Sequence, residues 1–280
     1  MERIATLEPG EMAPPLKSLF VYFFLIIMVG AIYLALRFKV FVGLPLEWDL
    51  YMDEIIFFLI PLGLVMLFFR LDVRGTLQLR RVAWSSLPLF GAAGCVLVAF
   101  QVFILALASR FVPEIVRYID LNSYLGYETF TKTILALPVA GQIWVVCIAP
   151  ALVEELLFRG YVQSTLVGRL GARRGIWITA ALFALVHLGI LRIPFDLLVS
   201  YIMGYIVIRY RSVWPAVVFH FANNLVNLLV LNLIPGFDTE RLSAVSLALM
   251  AAAVAYMGWQ IMRFLHRASA ELKAEAVLAP

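Results

Sequence analysis

Eight uncharged apolar runs organise the chain, at Leu19–Leu36, Ile55–Phe69, Val82–Ser109, Thr133–Val153, Gly175–Leu191, Leu197–Ile208, Ser212–Phe237 and Leu242–Met262. Short polar or basic segments separate them. A helix needs roughly 20 apolar residues to cross a bilayer, and most of the runs meet that length. The second meets it only by recruiting residues such as Asp53 and Glu54. The sixth has twelve uncharged residues, about 18 Å of helix, and crosses fully only if Ile193–Phe195 and a snorkelling Arg209 extend it. The pattern predicts eight spans, with the carboxylates Glu154 and Glu155 at the end of the fourth.

The connections add little regular structure. Met1–Ser18 is mixed and rather acidic, without the basic start of a secretory signal, so the first run reads as a retained span. Arg110–Lys132 is the longest hydrophilic connection and suits an interfacial helix or a lid. The tail Ala268–Pro280 has helix-forming composition. Residues 1–132 then hold three spans and the long loop. Residues 133–280 hold the later spans, and the whole forms one membrane domain.

Composition excludes a soluble protein. Of 280 residues, 64% are apolar and 14% charged, against about 25% charged in soluble domains. An all-α polytopic bundle is the fold class that satisfies its backbone in lipid. The net charge of +4 does not point to nucleic acid, because the basic residues cluster at the ends of apolar runs. Across eight spans, fifteen lysines and arginines fall on one side and seven on the other. That asymmetry puts both termini in the cytoplasm, with Arg159 counted on that side and a bacterial inner membrane expected. Cys95 and Cys147 lie within apolar runs and read as small buried hydrophobes.

Ionisable and amide side chains at membrane depth are the candidates for chemistry. Glu155 and Arg159 are four apart, on one helical face, with the acid first, as an ion pair prefers. Glu154 points about 100° away around the helix and needs another partner. A carboxylate in low dielectric without a counter-charge is a candidate general base. Pro150, four residues earlier, cannot donate to the Val146 carbonyl, so a kink or an exposed carbonyl is expected there. Phe183 and His187 share a face in the fifth run. His220 and Asn224 share one in the seventh, flanked by Asn223 and Asn227; both can donate to a developing oxyanion. Taken singly, these residues also read as a hydrated helix end, a structural histidine and interhelical polar glue.

Taken together, the motifs resemble those of the CPBP family of intramembrane proteases, which includes the type II CAAX prenyl endopeptidases and bacteriocin-processing relatives. Glu154, Glu155 and Arg159 meet its E-E-x-x-x-R motif. Phe183 and His187 meet F-x-x-x-H, and His220 and Asn224 meet H-x-x-x-N, preceded by Ser212-Val-Trp-Pro-Ala216. The likeness covers about residues 139–230. It implies a metal-independent endopeptidase without cofactor, acting on a membrane-associated protein or peptide. Glu154 and His187 would activate water, His220 and Asn224 would hold the oxyanion, and Glu155, Arg159 and Phe183 would support them. Two other readings use the same residues: zinc ligation by the histidines and a carboxylate, and a non-enzymatic scaffold, immunity or transport protein. The H-E-x-x-H helix of zinc proteases is absent, as is the internal symmetry of many transporters. Substrate identity and oligomeric state are left open.

Overall fold

The computed structural model describes residues 13–39, 46–114, 131–187, 193–234, 242–256, 258–260 and 263. Helix α1 (Leu16–Lys39) returns through α2 (Leu46–Asp53), a π-helical stretch (Glu54–Leu59) and α3 (Ile60–Phe68). The short α4 (Val73–Thr76) is capped by Asp72, whose carboxylate accepts from the Gly75 amide. Next comes α5 (Leu87–Phe111). The fourth span joins α6 (Val139–Gln142), α7 (Ala149–Glu155) and α8 (Gln163–Leu170) through π-helical stretches at Ile143–Ile148 and Leu156–Val162. Then follow α9 (Ala172–Val186), α10 (Ile193–Tyr210), α11 (Trp214–Leu233) and α12 (Ala244–Gln260). Among the described residues there is no strand beyond one isolated bridge. The architecture is a helical membrane bundle.

Five described helices are long and apolar enough to cross a membrane: Leu16–Arg37, Trp48–Phe68, Trp84–Phe111, Val139–Leu170 and Trp214–Leu233. They correspond to the first, second, third, fourth and seventh runs. The second does recruit Asp53 and Glu54, as its length required. Of the other three, the sixth does extend through Ile193–Phe195 and Arg209 into the 18-residue α10, and the fifth and eighth form shorter pieces. The fifth becomes the 15-residue α9, about 22 Å long, because Gly171 (φ +78) turns the chain at its start and the helix stops at His187. The eighth is a shorter apolar helix at Ala244–Gln260. The expected lid or interfacial helix at Arg110–Lys132 and the tail Ala268–Pro280 lie largely or wholly outside the described residues.

The carboxylate pair is not at the end of its helix. The fourth helix runs for 32 residues, from Val139 to Leu170, with Glu154 and Glu155 near its midpoint. The polar residues beyond them, Arg159, Gln163, Ser164 and Thr165, resemble a hydrated helix end in sequence but are all buried. Each has an internal partner or sits in a packed turn: Gln163 Nε2 donates to the Gly204 carbonyl at 3.0 Å and Thr165 Oγ1 to the Tyr161 carbonyl at 2.8 Å. Arg159, counted among the headgroup-facing cations from its position, has no exposure at all.

The fourth span is held on several sides. Leu62, Val65 and Met66 of α3 pack with Leu157, Phe158, Tyr161 and Val162, and Tyr161 donates to Ser18 of α1 at 2.7 Å. Helices α5 and α11 pack closely at Gly94, where any Cβ would run into the Phe219 carbonyl oxygen. The loops after α4 and α10 are clasped together. Leu79 and Ser212 form the antiparallel bridge, the Val213 amide donates to the Gln78 carbonyl at 3.0 Å, and Ser212 Oγ donates to the Arg80 carbonyl at 2.7 Å. The loop that opens α11 is therefore tied to the first half of the chain. Large apolar side chains such as Phe20, Phe24, Ile27, Leu67 and Phe68 face outward, the surface a lipid-facing bundle presents.

Candidate active site

The Glu-Glu segment, α7, lies between two π-helical stretches. Its second residue, Pro150, has no N–H for the Val146 carbonyl and its ring crowds that carbonyl, so a regular α-helix is not available there. The wider π turn relieves the crowding, as π-bulges often do at functional sites. Asn224 Nδ2 of α11 donates to the Val146 carbonyl at 2.9 Å. One amide hydrogen of Asn224 is thus committed to the backbone of the fourth span, and the other is not.

Glu155 and Arg159 form the ion pair their spacing predicts, with Nη1 to Oε1 at 3.0 Å and both side chains wholly buried. The guanidinium is held at two further points. Its Nη2 donates to Ser200 Oγ of α10 at 2.9 Å, and its carbon lies 4.2 Å from the centre of the Phe183 ring, a cation–π arrangement. Phe183 in turn packs edge-on against Phe158. The motif phenylalanine is therefore a platform for the motif arginine.

His220 also reaches Glu155. Its Nδ1 lies 2.9 Å from Oε1, the same oxygen that Arg159 engages. An ionised carboxylate only accepts, so Nδ1 carries a hydrogen and Nε2 is left for other partners. Spacing alone had paired His220 with Asn224. The structure binds each of them to the fourth span instead, one to a side chain and one to a carbonyl.

His187 faces the other carboxylate, with its Nε2 3.7 Å from Glu154 Oε2. The ring is oriented from behind by Nδ1, 2.8 Å from the Phe183 carbonyl. That carbonyl is available because the helix ends: the His187 amide turns to the Leu185 carbonyl and leaves the last turn short of donors. A carbonyl can only accept, so Nδ1 carries the hydrogen and a neutral ring offers the Nε2 lone pair toward Glu154. Glu154 Oε2 has no hydrogen-bond partner among the described residues.

The two carboxylates differ in access. The side chains of Glu154 and His187 retain 14% and 22% exposure, whereas Glu155 and Arg159 retain none. All seven residues singled out by sequence converge on this one region through α7, the π turn after it, α9 and α11. The residue missed was Ser200; a lone serine in an apolar run gives no signal. Among the described residues, no three His, Cys, Asp or Glu side chains cluster as metal ligands would.

Residues 136–226 match the family described as Rce1-like type II CAAX prenyl endopeptidases, in agreement with the CPBP resemblance. The matched segment holds all three motifs. No curated protein matches the chain closely enough to count as a relative.

Proposed function

We propose that this integral membrane chain, whose residues 136–226 match the Rce1-like type II CAAX prenyl endopeptidases, is an intramembrane protease using Glu154 as its base. The observation that carries the reading is the unequal access of the two carboxylates. Glu155 is held through Oε1 by Arg159 and His220 in a closed environment, while Glu154 and His187 face each other and their side chains keep partial exposure. A water between Glu154 Oε2 and His187 Nε2 can donate to both.

Glu154 takes a proton from that water as its oxygen attacks the scissile carbonyl carbon. The carbonyl π electrons move to the oxygen, and His220 Nε2–H with the uncommitted amide hydrogen of Asn224 stabilises the oxyanion. His220 donates at Nε2 only when its ring carries both protons, and the Glu155 carboxylate at Nδ1 compensates that charge. Collapse of the tetrahedral species breaks the C–N bond, and the proton held by Glu154 passes to the leaving amine. The products are a new carboxylate and a new amine. The substrate is a membrane-associated protein or peptide, with a prenylated C-terminal tail as the class the family match favours.

Arg80, Arg81 and Arg211 lie in the two clasped loops, and Arg74 of α4 and Arg209 in the last turn of α10 lie beside them in the chain. Their shared side, rich in cations, supports a cytoplasmic face there with both termini on it, in a bacterial inner membrane. The reading is tested by comparing membrane-protein termini between cells carrying the wild type and cells carrying Glu154→Ala. Neo-termini present with the wild type and missing with an equally inserted variant are expected. Identical terminal inventories would sink it.

A further inference from the structure

We infer that Ser200 of α10, outside all three motifs, is a positioning residue for His220, acting through Arg159 and Glu155. The inference rests on the protease reading for its catalytic consequence but on geometry alone for its structural one. Ser200 is buried and its hydroxyl receives Nη2 of a wholly buried guanidinium. Nη1 of the same group engages Glu155 Oε1, and that oxygen also accepts from His220 Nδ1.

The reason Ser200 matters lies in what the ion pair leaves unused. Glu155 Oε2 and Arg159 Nε have no hydrogen-bond partner among the described residues. An arginine and a carboxylate in a dry site tend toward the two-bonded fork, which is stronger and uses both carboxylate oxygens. Ser200 prevents this by holding Nη2 on the far side. The Phe183 ring fixes the guanidinium plane but not its rotation within that plane. Without the serine hydroxyl, Nη2 is free to swing to Glu155 Oε2. Closing the fork turns the carboxylate and draws Oε1 away from His220. The ion pair gains a bond and His220 loses its orienting partner.

This makes a distinctive expectation. Ser200→Ala removes a buried hydroxyl without opening a large cavity, so the protein stays folded while catalysis suffers. Small misplacements of a catalytic group are costly to rate. Cleavage of a fluorogenic farnesylated CAAX peptide by purified protein in nanodiscs is expected to fall about tenfold in kcat, with KM unchanged. Ser200→Thr, which keeps the hydroxyl, restores kcat. In an Arg159→Lys background Ser200→Ala has little further effect, because lysine cannot form the fork and the two residues act as one unit.

A second readout does not depend on cleavage. The chain has three histidines, so [15N]histidine labelling gives a simple spectrum, with His220 assigned by its loss in His220→Gln. A hydrogen-bonded Nδ1 proton for His220 is expected in the wild type and Ser200→Thr, and its signal weakens or vanishes in Ser200→Ala. If that signal is the same in all three proteins, the positioning role is wrong whatever the activity shows. Unchanged kcat in Ser200→Ala also overturns it, as do equal losses from Ser200→Ala with and without the Arg159→Lys substitution. Should Glu154→Ala still cleave the peptide while the Nδ1 signal behaves as expected, the protease reading fails and the positioning of His220 stands.

Discussion

Two adjacent glutamates on one helix do opposite things in this protein, and the difference comes from about 100° of helical rotation. Glu155 turns inward to Arg159 and His220, whereas Glu154 turns to the accessible edge and His187. Removing the charge of Glu155 leaves a wholly buried arginine without its counter-ion, a loss that typically costs about 3–5 kcal/mol. Glu155→Gln is therefore expected to lower the thermal midpoint of the detergent-solubilised protein strongly. Glu154→Gln is expected to lower that midpoint much less, since the direct ionic partner of Glu154 is the partly exposed His187 rather than a wholly buried cation. Equal midpoints for the two variants would contradict the division. The sequence made this split legible because the four-residue spacing to Arg159 selects Glu155. It did not make Ser200 legible, because a single hydroxyl in an apolar run carries no pattern.

At the scale of the element, Pro150 shapes the site through a hydrogen bond it cannot make. The Val146 carbonyl lacks the donor a regular helix provides, and Asn224 supplies one from α11. An unsatisfied buried carbonyl costs about 1–3 kcal/mol, so Asn224→Ala is expected to destabilise the bundle by about that amount. Pro150→Ala returns an N–H to position 150, and in that background Asn224→Ala is expected to cost less stability. Activity is not expected to return with it, because the amide hydrogen offered to the oxyanion is still missing. A denaturation series on the four proteins with parallel assays checks both halves. Recovery of activity along with stability would mean that Asn224 only props the fourth span. The proline's consequence was readable from sequence; which residue answered it was not, because that depends on the register of α11 against the fourth span.

At the scale of the whole molecule, the site requires three helices to stay in register: the fourth span, α9 and α11. The tightest constraint on α11 is Gly94 of α5, where a Cβ would overlap the Phe219 carbonyl one residue from His220. Gly94→Val is expected to push α11 away, abolishing activity and lowering stability. Gly63→Ala, at a position with open space around the added carbon, is expected to behave like the wild type in the same measurements. The membrane class and the segment holding the site were legible because charged and amide residues stand out against apolar runs. The burial of the stretch after the carboxylate pair was not. Arg159, Gln163, Ser164 and Thr165 imitate a helix end in sequence, and only the packing of α1, α3 and α10 around them turns that stretch into protein interior. Span number is similarly obscured, since α9 and α10 are runs whose length alone leaves their course undecided.

The central claim is that Glu154 is the base of a peptide-bond hydrolysis inside the bundle. Its most direct test is cleavage of a farnesylated CAAX peptide by purified protein in nanodiscs, followed by mass spectrometry, for the wild type and Glu154→Gln. The account predicts one new carboxylate terminus with the wild type, carrying 18O when the reaction is run in labelled water, and none with a folded Glu154→Gln protein. Cleavage at a comparable rate by that variant would contradict it.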